Sequence, residues 1–508
     1  MIGILHPVAR PLAAPFGSAL AARAFSWRNL FAGGTPGFRI NIEEALRINA
    51  AAVGDLSKCV AFQDSAGTLP VTAMEQPLGL ILDTKLGVPV RGPELVVNGE
   101  NITSTSGWGA FNGGTLSVSG GSLTVTNGGS GFSGAAAGGL GTVTVGKTYA
   151  IQIVVSGGTA TNRRATIVGV TNNTLNLGVN HFILTAASST TTFFINSATI
   201  GETLSISRYS VRELPGNHFI QPDNTPSRSI VSRRVNLLTA TTTLATQSVT
   251  TLAASHVLAF SGTGSVTLSG TATGTYSAGT HTITTTAGTL TVTVSGSVTN
   301  ADLRLSIDAN LPQYQRVTSP TDYDEVGFPA YAKFDGVDDW LESGVVDMTS
   351  TDEVTVLAGV TKLSDAAYQN VLEFSTNSDS VNGSFGIGTS TLDGDAARRS
   401  YGFSSTGQTF RRAAAGVYAA PSKHLLTGIG KIGTDTSVLR VNGSQVAANT
   451  SEQGTGNYTA QKFYMGRRGG SSLPLNGRIY GVTVVGKLLT SGQLAAAERA
   501  ERNLGRLY

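Results

Sequence analysis

The stretch YAKFDGVDDWLESG, Tyr331–Gly344, decides how the C-terminal part of the chain folds. It places Asp335, Asp338 and Asp339 close together in a chain of which only 13% of the residues are charged. Asp335 is followed by glycine, which is typical of an Asx-type turn, and residues suited to strands lie on both sides. The stretch therefore predicts a turn between two strands of a sandwich.

A calcium site is the alternative interpretation of this stretch, with Asp335, Asp338 and Asp339 as the ligands. Calcium takes about six to eight oxygen ligands, so another loop has to contribute some of them. Asp352 and Asn382 are the candidates for that contribution.

Catalysis at this stretch is disfavoured. A glycosidase needs two carboxylates that face one groove, about 5–10 Å apart. Consecutive residues of a regular strand point to opposite faces, which separates Asp338 from Asp339, and the only nearby glutamate is Glu342. We therefore expect no enzyme activity, no catalytic residues, and no cofactor other than calcium in the alternative above.

Length and composition predict an all-β chain of several domains. The 508 residues are too many for one core, and 40% of them are hydrophobic, enough to bury real cores. Thr, Ser, Val and Gly dominate long stretches, and they suit short strands joined by tight turns. A net charge of +3 without a Lys/Arg-rich run gives no electrostatic footprint for nucleic acid. Cys59 is the only cysteine, which rules out an intramolecular disulfide and favours assembly in a reducing compartment.

Residues 1–90 differ from the rest and predict an irregular N-terminal arm that docks to another protein. Within them, the apolar spacing of INIEEALRINAAAV, Ile40–Val53, predicts a helix. Basic residues but no acidic residue precede Glu43, and an ALAA string there resembles a signal-peptidase site. Pro11, Pro15 and Gly17 interrupt the apolar run, which favours a retained arm. No apolar stretch is long enough to cross a bilayer as a helix, so we expect no membrane insertion.

The rest of the chain is predicted to form three β modules. Residues 91–215 alternate apolar and polar positions strand after strand, as in GTVTVGKTYAIQIVV, which predicts an antiparallel β-sandwich. Residues 216–310 form a Thr/Ser-rich β module with few large side chains, which we expect to lean on its neighbours or on other copies of the chain. Residues 311–508 end in a short helix with Thr490 or Ser491 as its N-cap.

The order of motifs in the last module carries a resemblance. FDGVDDWLES (Phe334–Ser343) opens it, SVLRVNGSQV (Ser437–Val446) forms a hairpin with an Asn-Gly turn, and FYMGRR, NGRIYGVTVVG and the final helix follow. In this order the motifs resemble the concanavalin A-like jelly roll in its laminin-G-like form, over roughly residues 319–508. The resemblance implies a fold but no particular ligand, because the same jelly roll serves lectins, glycosidases and inert spacers.

Two further resemblances lie upstream. GPELVVNGENITSTSGWGAFNGGTLSVSGGSLTVTN is similar to the start of carbohydrate-binding-module-like jelly rolls. FQDSAGTLPVTAMEQPLGLILD, GPELVVNG and VNLLTAT, followed by the laminin-G-like end, resemble tailed-bacteriophage virion proteins of the head-spike, fibre or tail-associated type. This second resemblance runs from about residue 60 to residue 508.

The phage resemblance implies a structural protein on the virion surface, in the head or the tail, that is assembled in the bacterial host cytoplasm. It implies an arm that binds a capsid or tail protein, a homo-oligomer with a trimer favoured, and modules that adhere to host surface glycans. Two alternatives stay open: a capsid decoration or cementing protein with no host ligand, and a glycan depolymerase.

Trp108, Arg467 and Arg468 are the candidate ligand-binding residues. Trp108 in SGWGAF would stack on a sugar ring, although an aromatic residue in a module with few large side chains is more often part of the core. Arg467 and Arg468 in GRRGGS would meet an acidic glycan or a partner subunit, and a solvated turn is the alternative. The six histidines are scattered and lack metal-ligand spacing.

Overall fold

A computed structural model describes residues 25–52, 54–129, 131–138, 140–222, 228–389 and 399–507. Antiparallel strands dominate these residues, and they build two β-sandwiches and a smaller five-stranded sheet. The prediction of an all-β chain with several modules and a short C-terminal helix is confirmed. Within the described part, no helix is both long enough and apolar enough to cross a membrane.

The N-terminal described residues form short elements around one helix. Two 3-10 turns, Trp27–Leu30 and Ala32–Gly34, precede β1 (Gly37–Asn41), α1 (Ile42–Ala51), β2 (Ala61–Phe62) and β3 (Leu80–Ile81). The predicted helix is present as α1, which begins at Ile42, two residues later than predicted. Asn41 is its N-cap, since the Asn41 side chain accepts a hydrogen bond from the Glu44 backbone N–H at 3.0 Å. Residues 1–24, the start of the predicted arm, lie outside the described residues.

Residues 91–215 form the middle sandwich, from β4 to β13. Its strands are β4 (Trp108–Phe111), β5 (Thr115–Ser119), β6 (Ser122–Thr126), β7 (Ser133–Ala137), β8 (Thr148–Gly157), β9 (Arg163–Ile167), β10 (Val170–Thr174), β11 (Gly178–Thr185), β12 (Thr192–Ile195) and β13 (Thr203–Glu213). They pair in the orders β10-β9-β12-β7-β4 and β11-β8-β13-β6-β5. The period of two read in the sequence places Ile151 and Ile153 in the shared core, while Gln152 between them is half-buried.

The Thr-rich sheet follows, after two short strands. The elements are β14 (Phe219–Ile220), β15 (Ile230–Ser232), β16 (Gln247–Thr251), β17 (Ala254–Gly270), β18 (Gly274–Thr285), β19 (Gly288–Ser295) and β20 (Val298–Leu305). The 17-residue strand β17 organises the sheet, since β18 pairs along one edge while β20 and β19 pair in turn along the other. Its core consists mainly of leucine and valine side chains around Phe260.

The C-terminal sandwich contains two large sheets. After the hairpin β21 (Val317–Ser319) and β22 (Asp322–Tyr323), its strands are β23 (Tyr331–Asp335), β24 (Leu341–Asp347), β25 (Glu353–Lys362), β26 (Gln369–Phe374), β27 (Ser384–Thr389), β28 (Tyr401–Thr406), β29 (Phe410–Ala415), β30 (Ser422–Lys431), β31 (Thr436–Val441), β32 (Ser444–Asn449), β33 (Ala460–Met465) and β34 (Asn476–Val485). The closing helix α2 (Ser491–Gly505) has Thr490 as its N-cap, in a capping box with Gln493.

Strands from distant parts of the chain complete these two sheets. The first sheet has the order β15-β23-β34-β25-β30-β31-β32, with β1 also paired to β34. The second sheet has the order β2-β3-β14-β24-β33-β26-β27-β28-β29. The sheets therefore cross the boundaries predicted after residues 90 and 310, because β1 to β3, and also β14 and β15, pair within the C-terminal sandwich. Local composition does not reveal such long-range pairing.

The modules contact one another through buried groups. Between the N-terminal residues and the middle sandwich, the His181 ring nitrogen Nδ1 lies 3.1 Å from the Gly67 carbonyl oxygen. Between the Thr-rich sheet and the C-terminal sandwich, Asp308 lies in a buried group with Lys423 and Arg478. The Thr-rich sheet thus leans on its neighbour, as its thin core led us to expect.

Candidate functional site

Two connections cross between the sheets at one end of the C-terminal sandwich. The acidic turn, Asp335–Trp340, joins β23 of the first sheet to β24 of the second. The arginine loop, Gly466–Leu475, joins β33 of the second sheet to β34 of the first. Strand register places both at the same end, because Asp335 pairs with Asn476 and Leu341 pairs with Met465.

The acidic turn has the hydrogen bonds of an Asx-type turn. Asp335 Oδ1 accepts from the Val337 backbone N–H at 2.8 Å, and Asp339 Oδ2 accepts from the Asp335 backbone N–H at 2.9 Å. Gly336 has a φ of 83°, and a Cβ at this position would lie 2.8 Å from the Cβ of Asn476. The turn that the sequence predicts is therefore present, and glycine is required in it.

The same turn brings three carboxylates together. One oxygen each of Asp335, Asp338 and Asp339 lies within 4.8 Å of the others. Asp335 is exposed, Asp338 is half-buried and Asp339 is 4% exposed. Burial of Asp339, and the nearby charges of Asp335 and Asp338, raise the pKa of its carboxyl to about 6. Of the two further ligands suggested from the sequence, Asp352 instead accepts from the Gly433 backbone N–H at 3.0 Å, and Asn382 is exposed in the turn before β27.

Arg467 packs on the ring of Trp340, the last residue of the acidic turn. Its guanidinium carbon is 5.7 Å from the centre of the Trp340 ring, a cation–π arrangement. Gly470 has a φ of 69°, and a Cβ there would lie 3.1 Å from two atoms of the same indole. The structure therefore joins two predicted features, the acidic turn and Arg467, which sequence reasoning treated separately.

Arg468 has a different position, inside an ion-pair network. Its Nε lies 3.1 Å from a carboxylate oxygen of Glu373, and its Nη1 lies 2.9 Å from Asp379 Oδ2. Glu373 is fully buried, and it also accepts from the Ser378 backbone N–H at 2.6 Å. The role that this geometry gives Arg468 is to neutralise a buried carboxylate.

Trp108 lies in the core of the middle sandwich. It is 8% exposed, and its ring centre is 5.5 Å from that of Phe193 and 5.6 Å from that of Tyr209, in edge-to-face packing. Its indole Nε1 is buried without a hydrogen-bond partner. This is the packing of the core alternative, and it leaves Trp108 with little surface for a sugar ring.

The outer aromatic face of the same sandwich was missed by sequence reasoning. We define it as Phe111, Phe132, Phe194 and Arg164. The ring centres of the three phenylalanines lie 6.0–6.5 Å apart, and Phe132 is 46% exposed. Phe111 and Phe194 lie on either side of Gly134 in the sheet register, and Arg164 is the cross-strand partner of Phe194. Cross-strand partners share a face, so these side chains lie together.

The signal that could have found this face is the alternation in TFFI. Phe193 is fully buried, so its neighbour Phe194 must point to the other side of β12. Thr192 and Thr166, one row away on the same side, are cross-strand partners and supply hydroxyl groups beside the rings. The Arg164 guanidinium also donates to the Thr174 hydroxyl.

The described histidines form no metal site. His181 is buried and His424 is half-buried, and desolvation lowers the pKa of each to about 4. Among the described residues, the acidic group of Asp335, Asp338 and Asp339 is the set of His, Cys, Asp or Glu side chains close enough to share a metal ion. His6 lies outside the described residues.

Comparison with known proteins gives no family. No family model and no curated protein matches the chain. Solved structures that match include the Trypanosoma rangeli sialidase in complex with the inhibitor DANA, at 13% identity and a TM-score of 0.26. They also include the botulinum neurotoxin serotype D binding domain, at 10% identity and 0.26, and the Ruminococcus gnavus IT-sialidase CBM40 bound to alpha2,3 sialyllactose, at 14% identity and 0.25.

The matched regions are short relative to this chain. They cover 34%, 34% and 33% of it, and 27%, 42% and 95% of the three other chains in the same order. The chain therefore spans less than half of the sialidase and of the toxin domain. At these TM-scores the likeness carries no argument about function.

Proposed function

We propose that this chain is a structural protein of a tailed-phage virion whose β-sandwich modules adhere to host surface glycans. The observation that carries the adhesion part is the outer aromatic face of the middle sandwich. The virion part rests on the motif order from about residue 60 to the end of the chain.

The outer aromatic face has the chemistry that a sugar ring requires. The C–H faces of a sugar stack on aromatic side chains, and its hydroxyl groups need hydrogen-bonding partners beside the ring. Phe132 is 46% exposed and leans on Phe111 and Phe194, so its position is defined by packing. The Thr192 and Thr166 hydroxyls lie in the next row of the sheet.

Arg164 extends this chemistry toward acidic glycans. A guanidinium pairs with carboxylates through two parallel hydrogen bonds, which gives direction as well as affinity. Arg164 shares the face with Phe194 and is anchored by Thr174. Arg467 on Trp340 provides a second aromatic–arginine pair in the C-terminal sandwich. Two such surfaces on one chain suit weak contacts that add up through multivalency.

On this proposal the N-terminal region binds a capsid or tail protein, and the protein lies on the virion surface. A homotrimer would multiply each glycan contact. Among the described residues, β5 and β32 are the outermost strands of their sheets. The unpaired backbone groups of such edge strands favour association with further chains. The protein acts without catalysis in this proposal.

Glycan-array binding of the full-length protein tests the adhesion part. We expect Phe132→Ala and Arg164→Ala to lower binding to the same glycans at least tenfold. Val179→Ala is the matched control, because Val179 is also an exposed apolar residue, at 62%, but lies on β11 in the opposite sheet of the same sandwich. Binding that is unaffected by Phe132→Ala and Arg164→Ala would refute the role of this face.

The position of the protein in an intact particle tests the virion part. Contact between residues 1–90 and the particle, with the sandwiches projecting outward, is the arrangement that the adhesin proposal requires. A C-terminal sandwich packed flat against the shell would favour the decoration or cementing alternative, and hydrolysis of a bound glycan would favour the depolymerase.

A further inference from the structure

The geometry points to a divalent-cation site of the calcium class on the acidic turn, held by the carboxylates of Asp335, Asp338 and Asp339. This site is separate from the outer aromatic face, which lies in the middle sandwich, and it adjoins the pair formed by Arg467 and Trp340. Its role is structural: the ion fixes the acidic turn, which connects the two sheets of the C-terminal sandwich.

The spacing of the carboxylates fits calcium. Two ligands on opposite sides of one ion are at most twice the metal–oxygen distance apart, which is about 4.8 Å for calcium at about 2.4 Å. The three carboxylate oxygens all lie within 4.8 Å of one another. Magnesium, at about 2.1 Å, demands near-ideal octahedral geometry, whereas calcium tolerates the irregular arrangement that three carboxylates on one short turn impose.

Two buried oxygens in this turn have no hydrogen-bond donor. Asp338 Oδ1 and Asp339 Oδ1 are both inaccessible to solvent and unpaired, and the whole Asp339 residue is only 4% exposed. A buried anionic oxygen without a partner destabilises the folded state, because it has lost its hydrogen bonds to water and no protein donor replaces them. A cation bound between the carboxylates removes that cost for both.

The described residues around the turn supply little positive charge. Lys333, on β23, lowers the pKa of Asp339 less than the charges of Asp335 and Asp338 raise it. Arg467 faces the Trp340 ring, with its Nη2 donating to the Ser471 carbonyl oxygen at 3.1 Å. Among the residues that the structure describes, no cationic side chain forms an ion pair with these three carboxylates.

The donor set selects a hard cation. Carboxylate oxygens suit calcium, magnesium and manganese, whereas zinc and copper sites use imidazole or thiolate ligands. Main-chain carbonyls and water complete the coordination of calcium in flexible sites. The expected consequence of binding is a fixed acidic turn, which holds Trp340 between Gly470 and Arg467.

Terbium luminescence of the full-length protein tests the site, because Tb³⁺ replaces Ca²⁺ and emits when a nearby indole is excited. After treatment with a chelator, we expect Tb³⁺ emission on excitation of tryptophan, and its loss on addition of Ca²⁺. In parallel, the Tm of the C-terminal sandwich should rise with the logarithm of free Ca²⁺. Mg²⁺ at the same concentrations should give a clearly smaller shift.

Four variants make the test specific. Asp338→Asn and Asp339→Asn should each abolish the Tb³⁺ emission and the Ca²⁺-dependent Tm shift. Trp340→Phe should reduce the emission while the Tm shift persists. Asp347→Asn is the control, since Asp347 is an exposed aspartate of the same sandwich that also caps a turn, accepting from the Thr349 backbone N–H at 2.9 Å.

Two outcomes would overturn the proposal. One is that the wild-type protein shows neither the Tb³⁺ emission nor the Ca²⁺-dependent Tm shift. This result would mean that protonation, and not a bound cation, reduces the negative charge of the turn. The other is an unchanged response in Asp338→Asn and Asp339→Asn. A Tm shift by Mg²⁺ as large as that by Ca²⁺ would overturn the assignment to calcium.

Discussion

Asp308 and Arg478 form a buried ion pair across the junction between the Thr-rich sheet and the C-terminal sandwich. Arg478 Nη1 lies 2.8 Å from Asp308 Oδ2, and Lys423 Nζ lies 3.2 Å from Asp308 Oδ1. Burial opposes ionisation of Asp308, yet Arg478 and Lys423 together hold the pKa of this carboxyl below its usual range. The charged form is therefore part of the folded state, and it joins the two modules.

Removing this carboxylate should destabilise the protein strongly. Asp308→Ala leaves two buried cations without a counter-charge, so we expect the free energy of unfolding to fall by about 3–5 kcal/mol. Urea denaturation of the full-length protein measures this change. Asp322→Ala is the control, because it breaks an exposed ion pair with Arg316 and should cost much less. Equal losses in the two variants would contradict the role given to Asp308.

The stability of the cation-free protein should depend on Asp339 in acid. Burial, and then the charges of Asp335 and Asp338, raise the pKa of Asp339 from 3.8 to about 6. The folded state thus binds this proton more tightly than the unfolded state does, and its contribution to stability is lost as the pH rises from about 4 to about 6. In the presence of a chelator, wild type should therefore gain stability on acidification relative to Asp339→Asn. Parallel pH profiles of the two proteins would refute this.

Substitutions of Trp108 and Phe132 should have opposite effects, one lowering the free energy of unfolding and the other lowering glycan binding. Trp108→Phe removes packing against Phe193 and Tyr209, so we expect a loss of roughly 1–3 kcal/mol in the free energy of unfolding, partly offset because the unpaired indole N–H also disappears. Glycan binding per folded molecule should stay unchanged. Phe132→Ala should do the reverse, since Phe132 is 46% exposed. Calorimetry together with glycan binding of both variants checks the pair.

Gly470 should be less tolerant of a side chain than a glycine in open space. A Cβ at Gly470 would press on the Trp340 indole at 3.1 Å, at a φ of 69°. Gly121 has a similar φ of 77° with nothing within 4 Å, so Gly121→Ala measures the backbone cost alone. We expect Gly470→Ala to destabilise more than Gly121→Ala and to change the tryptophan fluorescence. Equal effects would show that the indole contact is unimportant.

The sequence predicts the acidic turn, but it does not predict which side chains pack against that turn. Asp335 followed by glycine predicts its turn, because an Asx turn is a local structure, and the turn is present. The approach of Arg467 to Trp340 depends on two connections that cross between the sheets at one end of the sandwich. The burial of Trp108 depends on which residues lie across the core, and the sequence left that choice open.

The amino-acid order by itself determined the strand-rich class, the alternation seen at Ile151 and Ile153, and the N-cap region of the final helix. Each of these depends on residues a few positions apart, whose preferences are local. Only the tertiary structure decided that β1 pairs with β34, that the three aspartates share one volume, and that Phe111, Phe132 and Phe194 form a face. Those relations depend on sheet pairing between distant segments, which many Thr- and Val-rich strands of similar pattern could satisfy equally well.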